Sequence, residues 1–349
     1  AADRGDRLDH QRPLQRDLER RLEYHGEGSP GHRPLNARTR ARRAWVALAA
    51  PAACTLALAA AAASEPFSVN EIAPGVFVHS GKPLALDAPG HDDIANIGFI
   101  VGTRCVAVID TGGSVRIGRA LHAAIRRSTS LPICYVINTH VHVDHVLGNA
   151  AFKNDAPTFV GHAELAAALD RSRDFFLKNY AGDLDAPAEA DQIIAPSRGI
   201  AAGSDADLDL GGRHLRLHAW PKAHTDCDLT VYDAKTGSFW AGDLLFVGRL
   251  PAVDGSIKGW LAVIDGLARM RVERVVPGHG AVSGNLAAAL EPERNYLQAL
   301  LQGVRAELAA GKPMQEAIEQ VEPGRSDWLL WDDTHPRNVA RVYQELEWE

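Results

Sequence analysis

The sequence predicts an α/β protein, one domain built on two packed sheets. Three observations point there. Short β-branched runs bounded by Gly alternate with stretches whose apolar residues recur at helical spacing. The same order, paired strands followed by helix, strand and helix, occurs twice. No Gly-Ser linker divides the two halves.

In chain order, residues 76–78, 97–101 and 105–109 are predicted strands, rich in Val, Ile and Phe. Asp110-Thr111-Gly112-Gly113 is a loop, and Val115, Ile117, Leu121 and Ile125 predict a helix over 114–127. Strands follow at 133–138 and 159–160, then a helix at 162–179. The second half gives strands at 214–219, 229–232 and 238–240, a helix at 258–269, a strand at 274–276 and a long helix at 285–309. Residues 64–310 form the predicted domain. Residues 311–349 are a tail whose Trp328, Trp331 and Trp348 predict docking onto that domain.

Composition narrows the classes. The chain has 349 residues, 46% hydrophobic and 23% charged, which suits a soluble globular protein. A mean hydropathy of -0.15 excludes a multi-span membrane protein. The net charge of -7 gives no support for nucleic-acid binding. The charge is unevenly spread: residues 1–43 hold 11 Arg and 7 acidic residues, whereas the 286 residues from Ser64 onward carry 26 basic and 37 acidic groups.

Between these lies an address. Residues 37–43 read ARTRARR, residues 44–63 carry no charge, and Ala61-Ala62-Ala63 precedes Ser64. A basic stretch, an apolar stretch and a small-residue cleavage site predict a signal peptide over 37–63, hence a periplasmic or secreted protein with no membrane span after cleavage. The competing reading is a membrane anchor. A run of ~20 residues is the shortest that spans a bilayer, and here Ala dominates it and Pro51 interrupts it. Cys54 after Pro-Ala-Ala is a poor match to a lipidation site. Residues 1–36 are Arg- and Asp-rich with few apolar residues, and are expected to be a non-native or disordered extension. Cleavage leaves Cys105, Cys134 and Cys227. The odd count leaves at least one thiol unpaired. Cys105 and Cys134 lie in apolar strand-like runs and are expected as buried free thiols.

The chemistry is concentrated in Thr139-His140-Val141-His142-Val143-Asp144-His145, directly after a predicted strand. Imidazole nitrogen and carboxylate oxygen are a ligand set suited to zinc. His140 and His142, two residues apart on a strand end, point to one side. Asp144 and His145 in the following turn can aim at a second ion, so the spacing implies two metals. The bland reading is a surface His cluster. Against it stand three more candidates near later strand ends, His224, Asp243 and His279, where sites on open sheets gather. Singly, each is an ordinary loop or capping residue; together, in this order, they point to metal.

These motifs resemble the metallo-β-lactamase superfamily of zinc hydrolases, over roughly residues 70–285. The resemblance implies a four-layer αβ/βα sandwich with the metals at one edge between the sheets. It implies a first metal on His140, His142 and His224, and a second on Asp144, His145 and His279. Asp243 would bridge both, and Asp110 would support the site from behind. Two zinc ions are the implied cofactors, and iron or manganese also suit the donors. Two ions sharing a water lower its pKa towards ~7. The implied reaction is attack of that hydroxide on an ester, thioester, lactone or lactam carbonyl of a small-molecule substrate, with Asp144 orienting it and taking its proton.

A narrower resemblance rests on Thr225-Asp226-Cys227-Asp228-Leu229-Thr230 after His224, on residues 242–251, on Asp254-Gly255-Ser256 and Gly259-Trp260-Leu261, and on Asn149-Ala150-Ala151-Phe152. These are similar to the quinoprotein relay system zinc metallohydrolases, which implies association with quinoprotein dehydrogenase systems. Alternatives stay open: a secreted β-lactamase, or an iron-dependent non-hydrolytic member such as a sulfur dioxygenase. True β-lactamases mostly use Cys or Ser near the position of Asp243. Cys227 is read as packing beside the site, with a ligand role as the alternative. Arg249 stands either in the site, where a cation would hold a substrate anion, or on the surface. G-x-G-x-x-G occurs only at residues 26–31, in the Arg-rich extension with no predicted strand before it or helix after it, and neither G-x-x-x-x-G-K-[ST] nor G-x-S-x-G occurs, so nucleotide binding and serine hydrolysis lack their motifs in context.

Overall fold

The computed structural model describes residues 67–325 and 327–349. The predicted extension over 1–36 and signal peptide over 37–63 lie outside the described residues. Among those described, no helix is long and apolar enough to cross a membrane.

One sheet has seven strands, in sequence order: β1 (Asn70–Ala73), β2 (Val76–His79), β3 (Ile97–Val101), β4 (Val106–Ile109), β5 (Ile133–Ile137), β6 (Thr158–His162) and β7 (Arg198–Ile200). The first four pair antiparallel; β4 to β7 run parallel. The other sheet comprises β8 (Asp205–Asp209), β9 (His214–Ala219), β10 (Leu229–Asp233), β11 (Ser238–Phe246) and β12 (Arg274–His279), in the order β12-β11-β10-β9-β8. Here only β11 and β12 pair in parallel.

Two-residue alternation builds the layers. On β4, Ala107 and Ile109 join Leu215, Leu217 and Val231 of the second sheet in a core between the sheets. Val106 and Val108 face the other way. They pack against Ile117, Leu121 and Ile125 of helix α1 (Val115–Ser128), capped by Ser114, whose hydroxyl accepts from Ile117 N–H at 3.1 Å. On β11, Trp240 enters the inter-sheet core, while Phe239 and Ala241 face the outer helices. Trp240 fits because Gly98 lies opposite: a Cβ there would stand 2.7 Å from its ring.

The outer layer on the second sheet holds α4 (Ile257–Leu267), α5 (Leu286–Ala309) and α7 (Trp331–Leu346). Helices α2 (Val143–Val146), α3 (Leu165–Asn179) and α6 (Met314–Gln320) are the other α-helices among the described residues. The result is helix, sheet, sheet, helix, the sandwich that the resemblance implies. Of the predicted tail, Trp331, Val339, Val342 and Leu346 are buried with Trp260, Leu297 and Leu300 and Trp328 packs partly buried against them, whereas Trp348 is exposed and does not dock.

Two expectations are corrected. Cys105 and Cys134 form a disulfide, with Cα atoms 5.7 Å apart. Val106 pairs with Ile133, so the crossover through α1 returns the chain beside β4 and sets the two sulfurs together. Cys227 alone among the described cysteines is free, and it is buried. The predicted strand at 238–240 continues to Phe246, so Asp243 lies within β11 rather than beyond it.

Candidate metal centre

The edge of the sandwich where β5, β11 and β12 end gathers the seven sequence-predicted residues. His140 follows β5; Asp144 and His145 lie in α2, and His279 closes β12. Their donor atoms form two groups: His140, His142, His224 and Asp243 in one, and Asp144, His145 and His279 in the other. All are buried except His142, which is partly exposed.

Asp243 stands between the groups. Its Oδ2 lies 3.7 Å from His140 Nε2, 3.5 Å from His224 Nε2 and 3.3 Å from His279 Nε2. Its Oδ1 lies 3.2 Å from His145 Nε2. His142 Nδ1 is 3.1 Å from His224 Nε2, and Asp144 Oδ2 is 3.3 Å from His279 Nε2. Donors bound at ~2.05 Å around a tetrahedral ion stand about 3.3 Å apart, so these spacings fit an ion within each group.

Bulging of β11 aims Asp243. Gly242 is opposite Pro277 and Phe246 is opposite His279, so four steps along β11 match two along β12. Gly242 adopts a left-handed φ of 55°, and a Cβ there would meet Thr139 at 2.8 Å. The far end of the bulge is held by Glu293 of α5, which is fully buried and whose Oε2 accepts from Phe246 N–H at 2.7 Å.

Each imidazole has its other nitrogen engaged. His140 Nδ1 faces Thr139 Oγ1 at 3.0 Å, and Thr139 donates onward to Asp110 at 2.8 Å. Asp110 also receives His145 Nδ1 at 2.8 Å. His279 Nδ1 faces Ile94 O at 2.8 Å, and His224 Nδ1 faces Ala252 O at 2.7 Å. His142 is turned the other way, with its Nε2 2.7 Å from Asp254 Oδ2. These contacts fix the tautomers that leave four Nε2 atoms and one Nδ1 free to bind.

Electrostatics agree with a cation-binding role. Burial, reinforced by neighbouring His145, holds His140 well below the usual histidine range. Burial and His142 bring His224 down to about 4. Burial opposes ionisation of Asp243, but His279, His145 and His140 overcome it and hold the carboxyl well below its usual range. Asp144 is likewise held low, burial being outweighed by His145 and His279. Burial would lower His145, yet Asp243, Asp110 and Asp144 raise it well above its usual value. Protons thus supply the positive charge that a divalent ion would supply on displacing them. His140 Nε2 is buried without a hydrogen-bond partner among the described residues, and the buried His145 Nε2 and Asp243 Oδ1, though 3.2 Å apart, make no well-directed hydrogen bond. Buried polar atoms need a partner, and a metal ion would provide one.

Cys227 is in neither group. Burial, aided by Asp228, pushes its thiol up, and its sulfur lies 3.6 Å from Thr225 Oγ1. Arg249 Nη1 stands 3.2 Å from His279 Nδ1 and 3.4 Å from Leu84 O, with no carboxylate partner among the described residues. Sequence reasoning missed Asp254, Thr139 and the carbonyls of Ile94 and Ala252. Asp254 lies in Asp254-Gly255-Ser256 before α4, where it reads as a turn residue ahead of a Ser cap. Carbonyl groups carry no sequence signal at all.

Glu293 yields a pH prediction. Burial raises its carboxyl well above the ordinary 4.5, so it stays protonated in the fold. The unfolded chain ionises first, so the stability Glu293 contributes is full below 4.5 and is lost as pH rises through the folded value. In metal-free protein, Glu293→Gln is expected to flatten the fall in Tm between pH 5 and pH 8 by several degrees. Parallel melting curves for both proteins across that range are the check.

The comparisons bear on fold and family. The Metallo-beta-lactamase superfamily model matches residues 91–279. No curated protein matches the chain. Among solved structures, the metallo-β-lactamase from Pontibacter korlensis is 18% identical with a TM-score of 0.53, covering 66% of this chain and 98% of its own. The sec-alkylsulfatase Pisa1 from Pseudomonas sp. is 17% identical with a TM-score of 0.59, covering 80% of this chain and 50% of its own. The DIM-1 metallo-β-lactamase is 15% identical with a TM-score of 0.51, covering 66% of this chain and 96% of its own. At these identities the likeness is one of fold. The family match extends over more than half of the sequence and takes in all seven metal-capable residues, so the chain belongs to the metallo-β-lactamase superfamily.

Proposed function

We propose that the chain is a binuclear zinc hydrolase of small carbonyl substrates, esters, thioesters, lactones or lactams, exported to the periplasm or secreted and linked to quinoprotein dehydrogenase systems. The observation that carries the reading is Asp243 facing both donor groups at 3.2–3.7 Å. His140, His142 and His224 would hold the first ion, and Asp144, His145 and His279 the second. Two such ions would supply Lewis acidity and a water ionised near neutral pH.

The chain's own residues do the rest. Asp144 orients the attacking water and takes its proton on a carboxylate oxygen. Arg249, beside His279 and with no carboxylate partner among the described residues, takes an anionic group of the substrate. The Cys105–Cys134 disulfide supports an oxidising compartment, and the quinoprotein link rests on the narrower sequence resemblance.

A panel of nitrophenyl ester, thioester, lactone and nitrocefin substrates tests the reading on purified protein. Expected is turnover of at least one carbonyl substrate, abolished by chelation and restored by zinc. Restoration by iron alone, or no turnover with two zinc ions bound, would contradict it. Exclusive turnover of nitrocefin would replace the broad hydrolase with a β-lactamase.

A further inference from the structure

The segment between β11 and α4 carries two groups that orient the first donor set: Ala252 O, against His224 Nδ1, and Asp254, against His142 Nε2. It is tied on both sides. Toward the metal-facing loop, the N–H groups of Asp254 and Gly255 donate to His224 O at 3.1 and 2.6 Å, and Ser256 N–H donates to Ala223 O at 2.8 Å. On the opposite side lies α7, beyond the residues that the family match covers.

Three residues of α7, spaced three and four apart and so on one face, grip this segment. Asn338 is buried; its Oδ1 accepts from Val253 N–H at 2.9 Å and its Nδ2 donates to Pro251 O at 2.7 Å. Arg341 donates from Nε to Asp254 O at 3.0 Å and from Nη2 to Gly255 O at 2.9 Å. Glu345 accepts from Ser256 Oγ at 2.6 Å and from Ile257 N–H at 2.8 Å. Every residue from 251 to 257 except Ala252 is held by the helix, and Ala252 is the one whose carbonyl faces His224.

We infer that α7 is a clamp that sets metal affinity: through Asn338, Arg341 and Glu345 it positions Ala252 O and Asp254, which orient His224 and His142. The inference rests on the proposed metal binding. These three are positioning residues, and none touches a donor atom of either group. A helix that merely stabilised the fold would need no polar contact with the one segment that backs two metal-facing imidazoles. Its apolar face, with Trp331, Val339, Val342 and Leu346, already supplies burial.

The test is a double-mutant cycle on the full chain, reading stepwise zinc affinity by competition with a chromophoric chelator. Outer partners of metal-bound histidines contribute about 10- to 100-fold in affinity. Among the described residues Arg341 grips only the carbonyls of Asp254 and Gly255, so of the two orienting groups Asp254 is the one it holds directly. Arg341→Ala is expected to weaken one of two zinc constants about tenfold in the wild-type background and less than twofold in the Asp254→Ala background. Arg341→Lys, which loses the fork by which Nε and Nη2 each hold one carbonyl, gives the same coupling and replaces Arg341→Ala if that variant fails to fold. An unchanged zinc constant with a lowered Tm, or an equal loss in both backgrounds, overturns the clamp alone. A wild-type protein that binds no zinc overturns the metal reading and the clamp with it.

Discussion

Asp243→Ala is expected to lower activity by about 10³-fold or more. The estimate follows from the several kcal/mol that a metal ion contributes as a Lewis acid and from about 1.36 kcal/mol for each tenfold in rate. Asp243 is the carboxylate that both donor groups share, its two oxygens facing His140, His224 and His279 on one side and His145 on the other. After its removal the first group keeps three histidines, whereas the second keeps His145, His279 and Asp144. With one carboxylate fewer beside two imidazoles, the second ion is expected to be lost first. Asp243→Asn keeps the shape and removes the charge, so a similar deficit in Asn and Ala variants assigns the effect to charge. Metal content by mass spectrometry, alongside kcat/KM for whichever carbonyl substrate is turned over, reads both consequences.

Arg213→Ala carries the largest expected effect on stability, a loss of about 3–5 kcal/mol. The guanidinium is buried between the sheets. It donates to both oxygens of Asp233, at 3.1 and 2.6 Å, and to the carbonyls of Pro74 and Val101, at 3.1 and 2.7 Å. It therefore joins the β1–β2 turn and the end of β3 in one sheet to the end of β10 in the other. Truncating it leaves Asp233 fully buried with an unpaired charge, which accounts for most of the loss. The drop in Tm is expected to be roughly 10 °C. The double variant R213M/D233N, which removes the stranded charge, is expected to recover part of it. Thermal melts of the three proteins settle the comparison, and a single variant within 2 °C of the wild type would contradict it.

Much of the sandwich is legible in the sequence because its strands are short, apolar and separated by turn residues. The strands at 97–101 and 214–219 are read to the residue. The failures have physical causes. β8 reads DADLD, which alternates polar and apolar, but its apolar members are only Ala206 and Leu208 and only Leu208 is fully buried; Asp and Ala are depleted in strands, so the signal is weak. β7 has three residues and one buried side chain. Ala241-Gly242-Asp243 looks like a turn, and Gly242 does adopt a turn-like φ of 55°, but the chain returns to the sheet through Leu244, Leu245 and Phe246. The disulfide escaped because the pairing of β4 with β5 is a long-range fact, set by the crossover and not by the local runs around Cys105 and Cys134.

The site divides in the same way. His140, His142, Asp144 and His145 are conspicuous because metal donors so close together have few other uses. The groups that orient them are not conspicuous. Ile94 O and Ala252 O are backbone atoms, Thr139 is an ordinary strand-end residue, and Asp254 lies over a hundred residues from the His142 that it faces. The sequence names the donors, and the fold supplies the partners that choose which nitrogen each one presents.

The central claim, two ions shared through Asp243, is tested most directly by the zinc stoichiometry of the purified chain beside His142→Ala. About two zinc ions per chain are expected for the wild type and about one for the variant, with a parallel loss of activity. Zinc content and activity both unchanged in His142→Ala would contradict the account.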